Sequence, residues 1–324
     1  MGDPFRKTVT PARPGTPTAP GDGAASATGA TRTVPAAPSA PGVAVAAPAP
    51  AIRIGCIDYL NCLPVYFGIE QGAVRLDVTV EKGPPAVLNR AFLHGRLDVT
   101  PISSIEYARH AGECVIIPGL AISADGQVAS ILLFHRRPLE ELDGRPVALT
   151  AASATSVVLT RIILELRYGV RPVYRVVPPD LEAMLAEHDA ALLIGDDALL
   201  AAHTHPEIPH VDLGVEWKAF TGHPMVYALW VARRELAEAD PAALRLVTRV
   251  FHASQEYSWD HRPEMVAEGV ARRGLPPEVV DDYFDLIRHE FGPRYRRGLV
   301  AFYEHARRLG ELGEVPPLRV WGED

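Results

Sequence analysis

Lysine occurs only three times in 324 residues, against 29 arginines, and cysteine also only three times. Cys56, Cys62 and Cys114 are too few and too oddly spaced for a disulfide framework or a zinc knuckle, and they fit a reducing compartment. The lysine deficit has the mark of a GC-rich coding bias, so arginine abundance alone points to no function. No run approaches the roughly 20 apolar residues of a membrane span, and proline interrupts every apolar stretch that could serve as a signal peptide. A soluble, cytoplasmic protein is expected. Neither a Gly-x-Gly-x-x-Gly turn nor a Walker sequence occurs, so no nucleotide cofactor is indicated. His203-Thr204-His205-Pro206 brings two histidines together without a cysteine or carboxylate spaced to complete a metal site, and it reads as a surface loop.

The first fifty residues hold ten of the thirty prolines amid Ala, Gly, Ser and Thr, with neither a period of 2 nor one of 3.6. Such a segment buries too little apolar surface to offset its ordering entropy, so residues 1–51 are expected to be a disordered tail. Beyond Ala51 the chain carries 28 basic and 38 acidic residues, a net charge of −10. That argues against a nucleic-acid partner, which needs a basic surface.

From Ile52 the pattern alternates strand and helix. Strands are expected at 52–57, 76–80, 97–102, 114–122 and 129–135, with helices at 63–71, after Pro84-Pro85, and around Ile105 to Ala108. A second unit follows Leu142-Asp143-Gly144, with strands at 147–150, 172–177 and 190–195 and helices at 154–168 and 180–188. Met225 to Arg233 is nearly continuous in apolar residues, as a doubly buried strand should be. Four helices complete the chain, near 241–258, 262–273, 276–290 and 294–311, and read as scaffold covering a sheet. The alternation predicts an α/β fold with mainly parallel sheets. It predicts a two-lobed clamshell: lobe 1 from 52–138 plus 226–324, lobe 2 from 139–225, and the ligand between them.

Three strand ends carry polar groups into a following helix: Asp58 to Pro64, Leu97 to Ser104, and Val147 to Ser156. Such junctions are where open α/β sheets meet ligands. Asn61 can be a turn residue or can orient a ligand hydroxyl or carboxylate with its amide. Ser103 and Ser104 can cap a helix, or can open an anion site at its N-terminus; the same holds for Ser153, Thr155 and Ser156. Two such sites in separate lobes would suit a ligand with two negative groups. Asp196 and Asp197, at another strand-to-helix junction, read more readily as caps than as catalytic acids.

Taken together, Asp58-Tyr59-Leu60-Asn61-Cys62-Leu63-Pro64, Pro101 to Tyr107, Leu149 to Ser156, Gly195 to Leu199 and Asp212-Leu213-Gly214-x-Glu216-Trp217 resemble the chorismate dehydratase family. The first block is similar to its Ser-Tyr-Leu-Asn-x-x-Pro signature, with Asp58 in place of the serine. The resemblance covers about residues 52–310. It implies a fold similar to type II periplasmic binding proteins and loss of water from chorismate, giving 3-[(1-carboxyvinyl)oxy]benzoate on the futalosine route to menaquinone, with no metal or cofactor required. On that resemblance Asn61 and Ser103 are assigned as catalytic, and Tyr59, Ser104, Ser130, Thr155 and Ser156 as substrate contacts. One carboxylate is expected at Ser103 and Ser104, the other at Thr155 and Ser156. The blocks contain no evident base, which leaves the substrate's own side-chain carboxylate to take the proton. Three alternatives compete. A non-catalytic binding module would be expected to carry an export signal. The sibling enzyme making a dihydroxynaphthoate has an entry motif similar to Ser-Pro-Cys-Pro-Asn-Asp, unlike residues 58–64. A transcription regulator would need a DNA-binding helix pair before Ile52.

Overall fold

The computed structural model describes residues 52–76 and 78–323; the tail read as disordered lies outside the described residues. The first lobe opens with β1 (Arg53–Ile57), a 3-10 turn (Leu60–Cys62) and α1 (Leu63–Glu70), followed by β2 (Thr79–Gly83), α2 (Pro85–Leu93), β3 (Val99–Ser103), α3 (Ser104–Arg109) and β4 (Cys114–Ala124). The chain then enters β5 (Ile131–His135), β6 (Pro146–Thr150), α4 (Ala154–Arg161, continued as a π-helical segment to Arg167), β7 (Val173–Val177), α5 (Leu181–Glu187), β8 (Ala190–Ile194), α6 (Gly195–Thr204), β9 (His210–Asp212) and α7 (Leu213–Thr221). It returns through β10 (Met225–Arg233) to α8 (Arg234–Ala239), α9 (Pro241–Asp260), α10 (Arg262–Arg273), α11 (Pro277–Leu286) and α12 (Pro293–Arg308).

Two five-stranded sheets result, ordered β2-β1-β3-β10-β4 and β7-β6-β8-β5-β9. Each has one strand running against the rest: β10 is antiparallel to β3 and β4, and β5 is antiparallel to β8 and β9. These are the two strands reached by crossing between lobes. The strand at 129–135, expected to complete the first lobe, belongs to the second sheet instead. β4 instead pairs with β10, from Met225↔Ala124 to Arg233↔Cys114, and bonds to Arg288 and to the Val320 segment as well. Both sheets are therefore mixed rather than mainly parallel, each with two parallel and two antiparallel pairings.

Elements form where the pattern asks for them. Every residue of β3 and of β8 is buried. Asp180 caps α5 by accepting the Ala183 N–H at 3.0 Å, as its residue type favours. The C-terminal helices cover the first sheet. Gly68 in α1 allows α9 to approach so closely that a methyl group there would lie 2.9 Å from the Ser254 Cα. In that gap the Ser254 hydroxyl accepts the Ile69 N–H at 3.1 Å. Among the described residues no helix is long and apolar enough to cross a membrane.

Candidate functional site

Between the sheets lies a cleft with about 520 Å³ of empty space. The first lobe contributes Tyr59, Asn61, Cys62, Ser103 and Tyr227 to its wall, and the second contributes Ser130, Ser153, Ser156 and Gly195, among apolar neighbours such as Ile57, Ile122 and Ile194. Five of the seven residues singled out from sequence therefore meet here: Tyr59, Asn61, Ser103, Ser130 and Ser156. Ser104 and Thr155 stand behind the wall. Their hydroxyls face one another at 3.3 Å, Ser104 also donates to the Val226 carbonyl at 2.8 Å, and Thr155 accepts the Ile105 N–H at 3.3 Å. They tie lobe to lobe.

Each cleft group is fixed by its own support. The Asn61 carbonyl accepts from His289 Nε2 at 2.7 Å. Burial pushes the His289 imidazole down to about 4, so it is neutral at pH 7 and holds the turn from behind. Asn61 Oδ1 is buried without a protein partner. Ser103 exchanges two bonds of 3.3 Å with Asn89, one to its N–H and one to its hydroxyl. Ser130 Oγ accepts from the buried Tyr283 hydroxyl at 2.9 Å, which leaves the serine proton free to turn toward the cleft. Burial raises the Tyr283 pKa, so that phenol remains a donor. The Asp212 carboxylate pins the crossover leading into Ser130, accepting the N–H groups of Val128 at 3.0 Å and Ala129 at 2.6 Å. Ser153 caps α4, accepting the Ser156 N–H at 3.3 Å, and the two hydroxyls lie 3.0 Å apart. By contrast, Ser103 and Ser104 make no side-chain cap on α3.

Two groups escape a reading of the sequence. Tyr227 interrupts an otherwise apolar run; the residue lines the cleft, while its hydroxyl is buried beside Gly214 and has no protein partner. Only that single polar position in the run could have flagged it. Asp196, read as a helix cap, caps nothing: Ile194 is the N-cap residue of α6, without a side-chain bond. Its carboxylate crosses instead to the first lobe and accepts the Leu60 N–H at 3.0 Å.

The cleft wall contains no His, Lys, Arg, Asp or Glu among the described residues. Burial raises the Cys62 thiol well above its ordinary pKa, so it is no nucleophile at neutral pH. No group of three or more His, Cys, Asp or Glu among the described residues is arranged to hold a metal ion. What the wall offers is hydroxyls, one carboxamide, and the first turns of α2, α4 and α6, which reach it through Pro85, Ser153 and Gly195. Helix N-termini favour anions without introducing a titrating charge.

Comparisons with known proteins agree with this architecture. A chorismate dehydratase of Thermus thermophilus is 33% identical over 267 residues, covering 78% of this chain and 93% of that protein. A 1,4-dihydroxy-6-naphtoate synthase of the same organism is 28% identical over 286 residues, covering 84% and 93%. Among solved structures, a protein of Archaeoglobus fulgidus superposes with a TM-score of 0.69 at 20% identity, covering 81% of this chain and 98% of that one. The periplasmic aliphatic sulphonate binding protein of Escherichia coli gives 0.63 at 16% identity, covering 85% and 92%. The fold is thus that of the periplasmic binding proteins. Since the menaquinone biosynthesis family model matches residues 52–308 as one continuous span, the chain belongs to that family.

Proposed function

We propose that this protein is a chorismate dehydratase, a hydro-lyase that removes water from chorismate to give 3-[(1-carboxyvinyl)oxy]benzoate in menaquinone biosynthesis. The observation that carries the reading is a cleft without acid or base side chains, walled by hydroxyls, an amide and helix N-termini from both lobes. That wall suits a dianion whose reaction needs placement more than proton-transfer machinery. The higher identity to the dehydratase than to the naphthoate synthase agrees with it. The three cysteines are free and buried, which supports a cytoplasmic location.

The chemistry breaks the C3–H and C4–O bonds of chorismate, and the electron pair released at C3 completes an aromatic ring as hydroxide leaves C4. The C3 proton is acidified through the ring carboxylate, and the leaving hydroxide and the proton together make up the water. With no base in the wall, the enolpyruvyl carboxylate of the substrate is the nearest acceptor for the C3 proton. Asn61, with its unpartnered Oδ1, orients the C4 hydroxyl or the neighbouring carboxylate, and Ser103 stands beside it. Ser130, Ser156 and the first turn of α4 hold a carboxylate from the second lobe, and Tyr59 closes over the ring. Aromatisation supplies the driving force, so the protein's share of the rate is orientation and charge stabilisation.

The test is direct. Purified protein incubated with chorismate should yield a product lighter by one water and carrying an aromatic absorbance. Tight binding without turnover would favour a non-catalytic binding protein, and neither binding nor turnover would remove chorismate from consideration.

A further inference from the structure

Leu60 begins the 3-10 turn Leu60–Cys62, and Asn61 is its next residue. The Leu60 N–H is given to Asp196 across the cleft, 3.0 Å from Oδ1 and 3.3 Å from Oδ2. Asp196 belongs to the second lobe, in the first turn of α6, and its side chain is only 8% exposed. Arg273, at the end of α10 in the first lobe, pairs with the same carboxylate through Nε. Asp58 joins the cluster, 3.3 Å from Arg273 and 3.5 Å from Arg272. The departure from the serine of the family signature thus adds a second acidic partner for Arg273. Beside these contacts the Tyr59 ring lies over Gly195, so close that a methyl group there would be 2.8 Å from the ring. Two stretches 136 residues apart in sequence therefore meet as one interlocking contact between the lobes.

We propose that Asp196 is a positioning residue: it fastens the second lobe to the backbone that carries Asn61, so that closing the cleft and aiming the Asn61 amide are one event. Asp196 itself does not line the cleft, and its influence runs through the turn. When the lobes part, the Leu60 N–H loses its acceptor and the turn loses the restraint that sets Asn61. When they close, the amide is delivered in register with Ser130 and Ser156 of the opposite wall. The role of the turn rests on the reading of the cleft as the site of chorismate dehydration; the clasp itself does not.

Two variants of the full chain separate the positions. In Asp196→Asn the amide oxygen can still accept the Leu60 N–H, whereas Asp196→Ala removes the acceptor. At saturating chorismate, Asp196→Ala should lose roughly 100-fold in kcat, the scale of an ångström-level misplacement, while Asp196→Asn should stay within about tenfold of the parent. Both should melt cooperatively. A merely structural role would lower the melting temperature of both and leave kcat of the folded protein unchanged. Parental kcat in Asp196→Ala, or equal damage in the two variants, would overturn the proposal. Should the parent protein not convert chorismate, the functional reading fails and small-angle X-ray scattering still judges the clasp. Asp196→Ala should then show a larger radius of gyration than the parent, and equal radii would dismiss the contact as a clasp.

Discussion

Tyr227 and Asn61 each bury a polar atom that no protein group satisfies. Such an atom costs the free protein about 1–3 kcal/mol, and the loss is recovered when a ligand supplies the partner. Tyr227→Phe should therefore raise the stability of the unliganded protein by about 1 kcal/mol. Thermal melting reads the effect; a lower melting temperature than the parent's would contradict it. Neither atom's isolation was legible in the sequence. Asn61 stands out in the sequence because it sits at a βα junction, where amides meet ligands. Tyr227 was hidden because a tyrosine in an apolar strand looks like packing, and only the fold shows where its hydroxyl ends.

At the scale of elements, the βα junctions carry the site, and Gly195 opens the one that packs against Tyr59. Its φ of 62° is left-handed, a conformation that costs an L-residue about 1–2 kcal/mol, and the Tyr59 ring fills the space a side chain would need. Gly195→Ala should destabilise the protein by about that amount and lower kcat/KM by displacing Tyr59, which denaturant titration and kinetics together would check. Thr155 behaves differently because it faces Ser104 and the Ile105 N–H rather than the cleft. Thr155→Val should cost about 1–2 kcal/mol of stability and alter KM less than Ser156→Ala does. Elements with strong apolar runs were readable: β10 spans Met225–Arg233 as expected. The weak ones were not. The expected strand at 76–80 is found as β2 at Thr79–Gly83, because this edge strand has no buried residue and so no hydrophobic signal. Sheet membership of β5 could not be read either, since its partners, β8 and β9, lie far along the chain.

For the whole molecule, the proposed clasp at Asp196 would link closing of the lobes to protons. Burial is the largest influence on Asp196 and pushes its carboxyl up to about 6, against the opposing effects of the Leu60 N–H and Arg273. Asp197, also raised by burial, acts in the same sense. Tyr59, Asp58, Arg273 and, through Asp58, Arg272 also face this contact from the first lobe. With the lobes apart, water returns the Asp196 carboxyl to its ordinary range near 4. The closed form therefore binds more protons between about pH 4 and 6, so closure strengthens as pH falls through that window and weakens as pH rises through 6. KM for chorismate should accordingly fall on acidification from pH 7 toward 5.5 in the parent protein, and this slope should flatten in Asp196→Asn. An unchanged slope in the variant would assign the effect to another group.

On the proposed function, an uncharged cleft dehydrates chorismate by aiming one amide at it. The most direct measurement compares parent and Asn61→Ala protein for chorismate binding by calorimetry and for turnover by product mass. The variant should still fold and bind chorismate but lose roughly 100- to 1,000-fold in kcat, the scale of removing one preorganised polar group at a developing charge. Full turnover by a folded Asn61→Ala protein would contradict it.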